Sequence, residues 1–380
     1  MKIYLCGVFK GTLTGQLQTI LALKESLMSN FEVELIKAPT KNQFFIIDFS
    51  LYLISILKIF FFGKKNHVFY LVLHRSRISF WLRDFPIYFL NNYLDTKLVC
   101  HLVGSDLLDF LNKSNRLENY FLKKYFRKID LWVVLGSNMH SQVDKAYEML
   151  NIKSDSKCYL SGKLKSRVIP GFVKKDMKYN FDYQKLDSKI SKLNQKVSIG
   201  YMSNLIEEKG IAEFIEAMII LKENQGLEFE AWFAGATLGK LTKKVSRAID
   251  LSSKKNYIEN CGPVYGSKKW SKLAETHIFV LPTYYKTEAL PLSILEAMKF
   301  GCVVVSTDAG EIEELLIASN GVFLKSTSPT EISTSISSLL KDKELLESKM
   351  REAYFFADQN FSFENFKNKV VDLIFELKAS

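Results

Sequence analysis

Two glutamates, Glu288 and Glu296, have the residue type, spacing and setting to bind a ligand that carries both hydroxyls and phosphates. Seven residues separate them, and the strand-like run 277–281 precedes them. Pro291 fits the first turn of the helix that follows, and Gly301 is typical of a helix end. Glu288 is therefore predicted in the loop at the carboxyl end of the strand, and Glu296 about a turn and a half into the helix.

The chemistry predicted for this segment is recognition of a sugar nucleotide. Open α/β sheets bind ligands at the carboxyl ends of their strands. A helix start offers free N–H groups and a positive dipole end to a diphosphate. The two carboxylates can then accept hydrogen bonds from hydroxyls on either side, in the order sugar, diphosphate, ribose. The alternative is an ordinary turn with two solvated glutamates, which the spacing alone does not exclude.

Six further loops follow predicted strands and add candidate ligand groups. They are residues 7–15, 101–106, 203–210, 234–237, 262–266 and 307–311. Lys209 can place a point charge on a phosphate, or it is a surface lysine. His101 and Asp106 can face a ligand, although a structural hydrogen bond is the commoner role of a histidine at a strand end. The glycine loops allow close approach of a ligand to the backbone, or they are plain turns.

No Asp-x-Asp pair occurs in the chain. Two carboxylates at that spacing commonly hold the divalent cation of a sugar diphosphate. The sequence therefore predicts that no metal is required, and that Lys209 and a helix dipole neutralise the phosphates. His-x-x-x-His, Gly-x-Ser-x-Gly and phosphate-loop motifs do not occur either.

Strands and helices alternate along the chain, which predicts parallel sheets covered on both faces. The predicted strands are 3–8, 33–37, 68–73, 98–102, 131–135, 197–201, 229–234, 257–259, 278–281 and 303–306, with helices that include 16–29, 44–62 and 363–377. The fold class is thus α/β, with two doubly wound Rossmann-like domains that face a cleft.

The predicted domain boundaries follow shifts in composition. Residues 1–170 form the first domain, and 171–196, rich in Lys, Asp, Ser and Asn, form a linker with a surface helix. Residues 197–355 form the second domain. Residues 356–380 form a C-terminal helix that is expected to pack back on the first domain.

The totals are those of a folded protein from a reducing compartment. The chain has 380 residues, of which 47% are hydrophobic, enough for two domain cores. Its five cysteines are scattered without a Cys-x-x-Cys pair, so a disulfide framework or zinc site is not predicted. Met1 leads directly into a strand, and no signal peptide is predicted.

The net charge of +11 lies entirely in the first 170 residues, which hold 24 Lys+Arg and 13 Asp+Glu. One basic cluster comprises Lys123, Lys124, Arg127 and Lys128. This asymmetry favours an anionic partner such as membrane phospholipid or a lipid diphosphate. Nucleic acid fits the charge, but no nucleic-acid motif is present, and a solvated basic surface is the alternative.

Residues 44–62 form the longest apolar stretch. Asp48, Tyr52, Ser55 and Lys58 recur in it at helical spacing and give a narrow polar stripe. We predict a helix buried in the first domain, with a helix that lies in a membrane interface as the second interpretation. The charges disfavour a membrane span.

Together these segments resemble a family 4 glycosyltransferase of the GT-B fold. Residues 288–310 resemble the Glu-x7-Glu motif of the family, which continues through Ala-Met, a glycine and a Val-Val-x-Thr strand. Residues 203–210 resemble its Lys-Gly motif, and 234–235 and 263–266 resemble its glycine turns. Residues 79–84 and 101–106 are similar to bacterial members that build surface polysaccharides.

The resemblance implies a retaining, metal-independent transfer from a nucleotide sugar such as a UDP-sugar. It implies catalytic roles for Glu288, Lys209 and His101, with Glu288 on the donor sugar and Glu296 on the ribose. The implied donor-binding residues are Asn204, Lys209, Gly235, Val264, Glu288, Ala289, Leu290, Leu292, Ser293 and Glu296. The implied acceptor-side residues are Gly15, Arg83 and Asp106.

This chain departs from the family pattern at two positions. Asn204 stands where many members carry an arginine, so that diphosphate binding depends more on Lys209. Val103 precedes Gly104 where many members have a histidine, and His101 lies two residues upstream.

Three functions are compatible with these features. The first is a glycosyltransferase that extends a lipid-linked or cell-surface glycan, cytoplasmic and peripherally bound to the inner membrane face. The second is a nucleotide-sugar epimerase of the same fold, and the third is an inactive sugar-nucleotide-binding subunit. A nucleotide sugar, a glycan acceptor and an anionic membrane surface are the expected partners of the first.

Overall fold

The protein consists of two compact α/β units. The computed structural model describes residues 2–9, 15–39, 45–63, 67–73, 77–152, 159–160, 163–174 and 180–379. Unit 1 comprises Met1–Gly171 with Glu364–Ser380, and unit 2 comprises Phe172–Phe363. Each unit contains a parallel six-stranded sheet with helices, which confirms the predicted α/β class of two doubly wound domains.

The sheet of unit 1 has the order β2-β1-β3-β4-β5-β8, with every neighbouring pair parallel. Its strands and one short hairpin are β1 (Lys2–Gly7), β2 (Glu32–Lys37), β3 (Val68–Val72), β4 (Lys97–His101), β5 (Leu131–Val134), β6 (Tyr159–Leu160), β7 (Lys163–Leu164) and β8 (Ser166–Val168). All five residues of β3 are buried, as expected for a central strand covered on both faces. The predicted strands β1 to β5 agree with the structure to within one residue at either end.

The helices of this part of the chain are α1 (Gly15–Met28), α2 (Phe45–Phe62), α3 (Arg77–Ser79), α4 (Phe85–Leu94), α5 (Leu107–Asn112), α6 (Arg116–Lys128) and α7 (Ser137–Met149). A π-helical turn, Phe80–Asp84, joins α3 to α4. Helix α6 starts with a capping box, in which the Asn115 side chain accepts from the Glu118 amide and the Glu118 carboxylate accepts from the Asn115 amide.

Helix α2 is mostly exposed, and the prediction that it is buried in the domain is wrong. Tyr52 and Ile59 are buried, whereas Ile46 is 80% and Phe61 70% exposed. The polar stripe does not mark the solvent side, because the Tyr52 hydroxyl points inward and donates to the Arg83 carbonyl at 3.2 Å. Among the described helices, none is long and apolar enough to cross a membrane.

The sheet of unit 2 has the order β11-β10-β9-β12-β13-β14 and is also parallel throughout. Its strands are β9 (Ser198–Met202), β10 (Glu230–Ala234), β11 (Ile258–Asn260), β12 (Ile278–Leu281), β13 (Val303–Ser306) and β14 (Val322–Phe323). Strand order runs one way from β9 to β11 and the other way from β12 to β14. The loops that follow β9 and β12 therefore lie side by side at the reversal, where open α/β sheets bind ligands.

The remaining helices are α8 (Tyr183–Ile190), α9 (Ile211–Ile219), α10 (Lys243–Ser252), α11 (Gly266–Glu275), α12 (Leu292–Lys299), α13 (Ile312–Ala318), α14 (Pro329–Lys341), α15 (Lys343–Asn360) and α16 (Phe363–Ala379). Helix α8, in the segment predicted as a linker with a surface helix, buries Leu186 in the core of unit 2. Almost all of α16 belongs to unit 1, where Glu376 pairs with Arg167 at 2.6 Å.

His277 precedes β12 at the amino end of the unit 2 sheet and is buried. It lines a groove of about 600 Å³ at that end of the sheet. Its Nδ1 accepts a hydrogen bond from the Ser198 amide at 3.0 Å. Burial, aided by the charge of Lys189, lowers the pKa of His277 to about 3. The folded unit therefore keeps the imidazole neutral, whereas the unfolded chain protonates it below pH ~6.5.

Because the unfolded state binds the extra proton, the free energy of unfolding should decrease as the pH falls from about 6.5 toward 3. At pH 5 this histidine should lower the stability by about 2 kcal/mol relative to pH 7. His277→Asn keeps an acceptor for the Ser198 amide and removes the titrating group. Between pH 7 and pH 5 the variant should therefore lose about 2 kcal/mol less stability than the wild type. Denaturant unfolding at the two pH values measures both losses, and equal losses would contradict the assignment.

Candidate functional site

The loops after β9 and β12 are joined by a backbone hydrogen bond, in which the Tyr284 amide donates to the Glu208 carbonyl at 2.8 Å. Parallel pairing of β9 with β12 places these loops next to each other although about 80 residues separate them in sequence. The predicted site segments 203–210 and 288–296 therefore lie at the same edge of the unit 2 sheet.

Gly210 explains why a glycine follows Lys209. It ends the 3-10 turn Glu207–Lys209 with φ of +75°, a conformation that favours glycine. A Cβ atom at this position would also overlap the carbonyl oxygen of Pro282. The close approach of the two loops thus requires Gly210, and it fixes the backbone from which Lys209 extends.

Lys209 and Glu288 are in direct contact. The Lys209 ammonium pairs with Glu288 Oε2, and the side chains are 12% and 9% exposed. The Thr283 hydroxyl donates to the same carboxylate oxygen at 3.1 Å, and the Lys209 ammonium lies 4.8 Å from the centre of the Tyr285 ring. An anion that binds here can pair with the Lys209 ammonium in place of Glu288. The Glu288 carboxylate is then able to accept hydrogen bonds from hydroxyls.

Helix α12 begins one residue later than its sequence predicts. Pro291 is the residue that precedes the helix, with ψ of 119°, rather than part of its first turn. Leu292 and Ser293 open the helix, and the first turn of a helix leaves its N–H groups without intrahelical acceptors. Their amides and the positive end of the helix dipole thus lie close in sequence to Glu288, in a position to receive a phosphate.

Glu296 lies in the second turn of α12 and is buried. Lys269 of α11 places its ammonium 2.6 Å from Glu296 Oε1. Burial raises the pKa of Glu296, and the charge of Lys269 opposes that shift. The predicted carboxylate therefore has a basic partner that sequence reasoning missed, although Lys269 follows one of the glycine turns, at 262–266.

The loop after β13 supports the backbone of Glu288 and Ala289. Glu311 donates its amide to the Ala289 carbonyl at 2.8 Å. Gly310 has φ of +63°, and a Cβ atom there would overlap the carbonyl oxygen of Ala289 and approach that of Glu288. Glu311 is buried, so this loop is a packed support for the site residues rather than a solvated acidic turn.

The loops after β10 and β11 meet the loop after β9. Gly235 donates its amide to the Gly262 carbonyl at 3.1 Å, and a Cβ atom on Gly235 would overlap the Ser203 carbonyl. Val264 is buried, whereas Asn204 is exposed next to the half-buried Ser203. These predicted donor-binding residues therefore lie at the same sheet edge as Lys209.

Unit 1 carries the residues predicted for the acceptor side and His101. His101 ends β4, is fully buried, and has its Nδ1 3.0 Å from the Tyr70 hydroxyl. Burial lowers the pKa of His101 to about 3, so the ring is neutral at physiological pH. Its catalytic role stays a prediction.

Arg83 lies in the π-helical turn and is buried against Asp84, with Nη2 2.5 Å from Oδ1. Burial raises the pKa of Asp84 to about 6, against the opposing effect of the Arg83 charge. Asp106 is the residue that precedes α5, and Gly15 is the exposed first residue of α1. Residues 10–14 of the first glycine loop lie outside the described residues.

The protein resembles known proteins most clearly in unit 2. Residues 182–354 match the model of the family described as glycosyl transferases group 1. The matched stretch contains Lys209, Lys269, Glu288 and Glu296. Over 132 residues the chain is 33% identical to the amylovoran biosynthesis glycosyltransferase AmsK of Erwinia amylovora. That match covers 33% of this chain and 31% of the relative, so it spans about a third of the curated protein's length.

Solved structures of similar fold extend over the whole chain. Sucrose-phosphate synthase of Thermosynechococcus elongatus has a TM-score of 0.70 and 14% identity, and the match covers 100% of this chain and 99% of that one. Anabaena HepE in complex with UDP-glucose has a TM-score of 0.67 and 15% identity, with 99% and 100% covered. A glycosyltransferase of Rickettsia africae has a TM-score of 0.65 and 18% identity, with 100% and 99% covered. These likenesses show the two-unit GT-B fold.

Proposed function

We propose that this protein is a retaining glycosyltransferase of family 4 that moves a sugar from a nucleoside diphosphate, in the first instance a UDP-sugar, to a glycan acceptor. The match of residues 182–354 to the group 1 glycosyl transferases supports the activity. The HepE structures with UDP and UDP-glucose support the choice of donor.

The contact between Lys209 and Glu288 carries the proposal. It joins a cation and a carboxylate at the reversal of the sheet order, with the start of α12 a few residues away. In this scheme the donor diphosphate pairs with Lys209 and accepts hydrogen bonds from the amides of the first turn of α12. The sugar hydroxyls donate hydrogen bonds to Glu288. Glu296, beside Lys269, accepts hydrogen bonds from the ribose.

The same groups account for acceleration of the transfer. Departure of the nucleoside diphosphate builds negative charge on its terminal phosphate. Lys209 and the α12 amides stabilise that charge more in the transition state than in the ground state, where the charge has not yet developed. The arrangement is fixed by the packing of Gly210 and Gly310, so little reorganisation is needed when the bond breaks.

The acceptor that we propose is a lipid-linked or cell-surface glycan. AmsK, to which part of the chain is similar, is described as an enzyme of amylovoran biosynthesis. The excess of basic residues in the first 170 residues suits an anionic lipid carrier or a membrane surface. The corresponding location is the cytoplasm at the inner face of the membrane, with no nucleic acid as a partner.

Incubation with a panel of labelled nucleotide sugars, with and without a lipid-linked acceptor, tests the proposal. A glycosyltransferase gives labelled acceptor, and the release of nucleoside diphosphate rises when acceptor is added. An epimerase converts the sugar of the donor without acceptor. An inactive subunit binds a nucleotide sugar, as a rise in melting temperature, and gives neither product. Either of the last two results would overturn the proposal.

We expect activity to survive a strong chelator. Lys209 and the start of α12 supply the positive charge that a divalent cation provides in other diphosphate sites. Turnover measured in EDTA should stay close to its value without EDTA. Complete loss in EDTA, restored by added Mg²⁺ or Mn²⁺, would show that a metal is needed.

A further inference from the structure

The outward side of α2 is mostly apolar, which is unusual for a helix on a protein surface. Its exposed residues include Ile46, Ile47, Leu51, Ile54, Leu57 and Phe61. At 100° per residue these positions fall within an arc of about 140° on one side of the helix, which also holds the exposed Ser50 and Lys58. We call these six residues the α2 face. Contiguous exposed apolar surface of this kind marks an interaction site.

The surface continues from α2 onto neighbouring helices. Helix α2 packs against α4, and α4 packs against α6. Phe60 of α2 stacks on Tyr93 of α4 with ring centres 4.7 Å apart, and Tyr93 is itself exposed. On α6, Tyr120 is exposed and Lys124 lies over its ring at 4.5 Å. Aromatic rings beside lysines are typical of protein surfaces at the boundary between lipid and water.

The charge of unit 1 indicates what covers the α2 face. The first 170 residues hold the entire net charge of +11, and α6 carries Lys123, Lys124, Arg127 and Lys128. A second copy of the chain would bring two such strongly basic surfaces together. An anionic lipid surface instead offers apolar acyl chains to the helix and negative headgroups to the lysines.

We propose that the α2 face lies in the interfacial layer of an anionic membrane, with the basic residues of α6 on the headgroups. This deepens the proposed function, in which the acceptor is lipid-linked, because it places unit 1 at the surface that carries the acceptor. The binding itself needs neither donor nor acceptor, so it can be measured separately from catalysis.

Co-sedimentation of the full chain with vesicles of phosphatidylcholine and phosphatidylglycerol tests the α2 face. The triple variant Ile47→Ser, Leu51→Ser, Ile54→Ser should bind at least tenfold more weakly than the wild type. The matched control is Ile317→Ser, since Ile317 is 76% exposed on α13 of unit 2 and should not affect binding. Vesicle binding by the triple variant equal to that of the wild type would overturn the proposal.

A single added tryptophan reports insertion without removing apolar surface. In Ile54→Trp the extra fluorescence should shift to shorter wavelength when the vesicles are added, because the ring leaves water. In Ile317→Trp it should not shift. An unshifted spectrum for Ile54→Trp while the protein sediments with vesicles would show binding by charge alone and would contradict insertion of the α2 face.

The basic residues of α6 allow the electrostatic contribution to vesicle binding to be tested. Raised salt should weaken wild-type binding to phosphatidylglycerol vesicles, since the headgroup attraction is screened within about 10 Å at 0.1 M salt. Charge reversal of Lys123, Lys124, Arg127 and Lys128 should weaken it at low salt and leave a smaller salt dependence. Equal binding to pure phosphatidylcholine at low salt would show that anionic lipid is not the partner.

Two further measurements separate this proposal from its competitors. Light scattering without lipid should show that the wild type forms no dimer through the α2 face. A wild-type dimer that is absent in the triple variant would assign the α2 face to a second copy of the chain. The thermal shift caused by UDP-sugars should be the same in the triple variant and the wild type. If UDP-sugars shift the melting temperature of neither the wild type nor the triple variant, the proposed function would be contradicted. The vesicle-binding result would not be affected.

Discussion

Replacing Lys209 with alanine is expected to lower turnover about tenfold or more. The ammonium group is placed to neutralise the leaving diphosphate, and one charge-assisted contact contributes roughly 1.5–3 kcal/mol. Since about 1.4 kcal/mol corresponds to a factor of ten in rate, the loss should be visible in kcat and in kcat/KM. Glu288→Ala should have an effect of similar size, because the Glu288 carboxylate, which pairs with Lys209, is the group proposed to accept hydrogen bonds from the sugar hydroxyls.

A second ion pair in unit 2 provides the control. The buried Lys299, in the last turn of α12, pairs with Asp358 of α15. Lys299→Ala removes a lysine from a carboxylate, as Lys209→Ala does, but at the opposite end of α12 from the candidate site. It should keep normal turnover with a nucleotide sugar. Near-normal turnover in both Lys209→Ala and Glu288→Ala would show that the site has been assigned to the wrong residues.

Sequence reasoning identified the segments of the candidate site but not the contact between them. Lys209 and Glu288 were each identified from the strand and loop that surround them. Their contact depends on β9 pairing with β12, and strand order in a sheet is a long-range property that local patterns do not determine. The same applies to Lys269, whose contact with Glu296 depends on the placement of α11 beside α12.

For helix α2, the sequence predicted the element but not which of its sides packs inward. Its periodicity predicted a helix correctly, because apolar residues and a polar stripe recur at helical spacing. Both sides of this helix are rich in apolar residues, so the pattern did not show which side packs inward. Tyr52 from the polar stripe is buried, whereas Ile54 and Leu57 face outward. A buried helix and an interfacial helix have similar compositions, and the structure was needed to distinguish them.

Gly310→Ala is expected to destabilise unit 2 by about 3 kcal/mol and to lower turnover. Gly310 has φ of +63°, where an alanine is strained by roughly 1 kcal/mol. Its new Cβ atom would also overlap the Ala289 carbonyl and push the backbone of Glu288, and overpacking of this kind costs about 1–3 kcal/mol. Denaturant unfolding measures the loss of stability, and kcat measures displacement of the Glu288 carboxylate from Lys209.

Gly226→Ala separates the two causes. Gly226 has φ of +65°, similar to Gly310, but among the described residues no atom lies within 4 Å of the position of its added Cβ. This variant should lose only the roughly 1 kcal/mol of backbone strain and keep normal turnover. If Gly310→Ala and Gly226→Ala were equally stable and equally active, the loop after β13 would not hold the Glu288 backbone in place. A larger loss of both stability and turnover in Gly310→Ala would show that the close packing of Gly310 on Ala289 positions the carboxylate for its ligand.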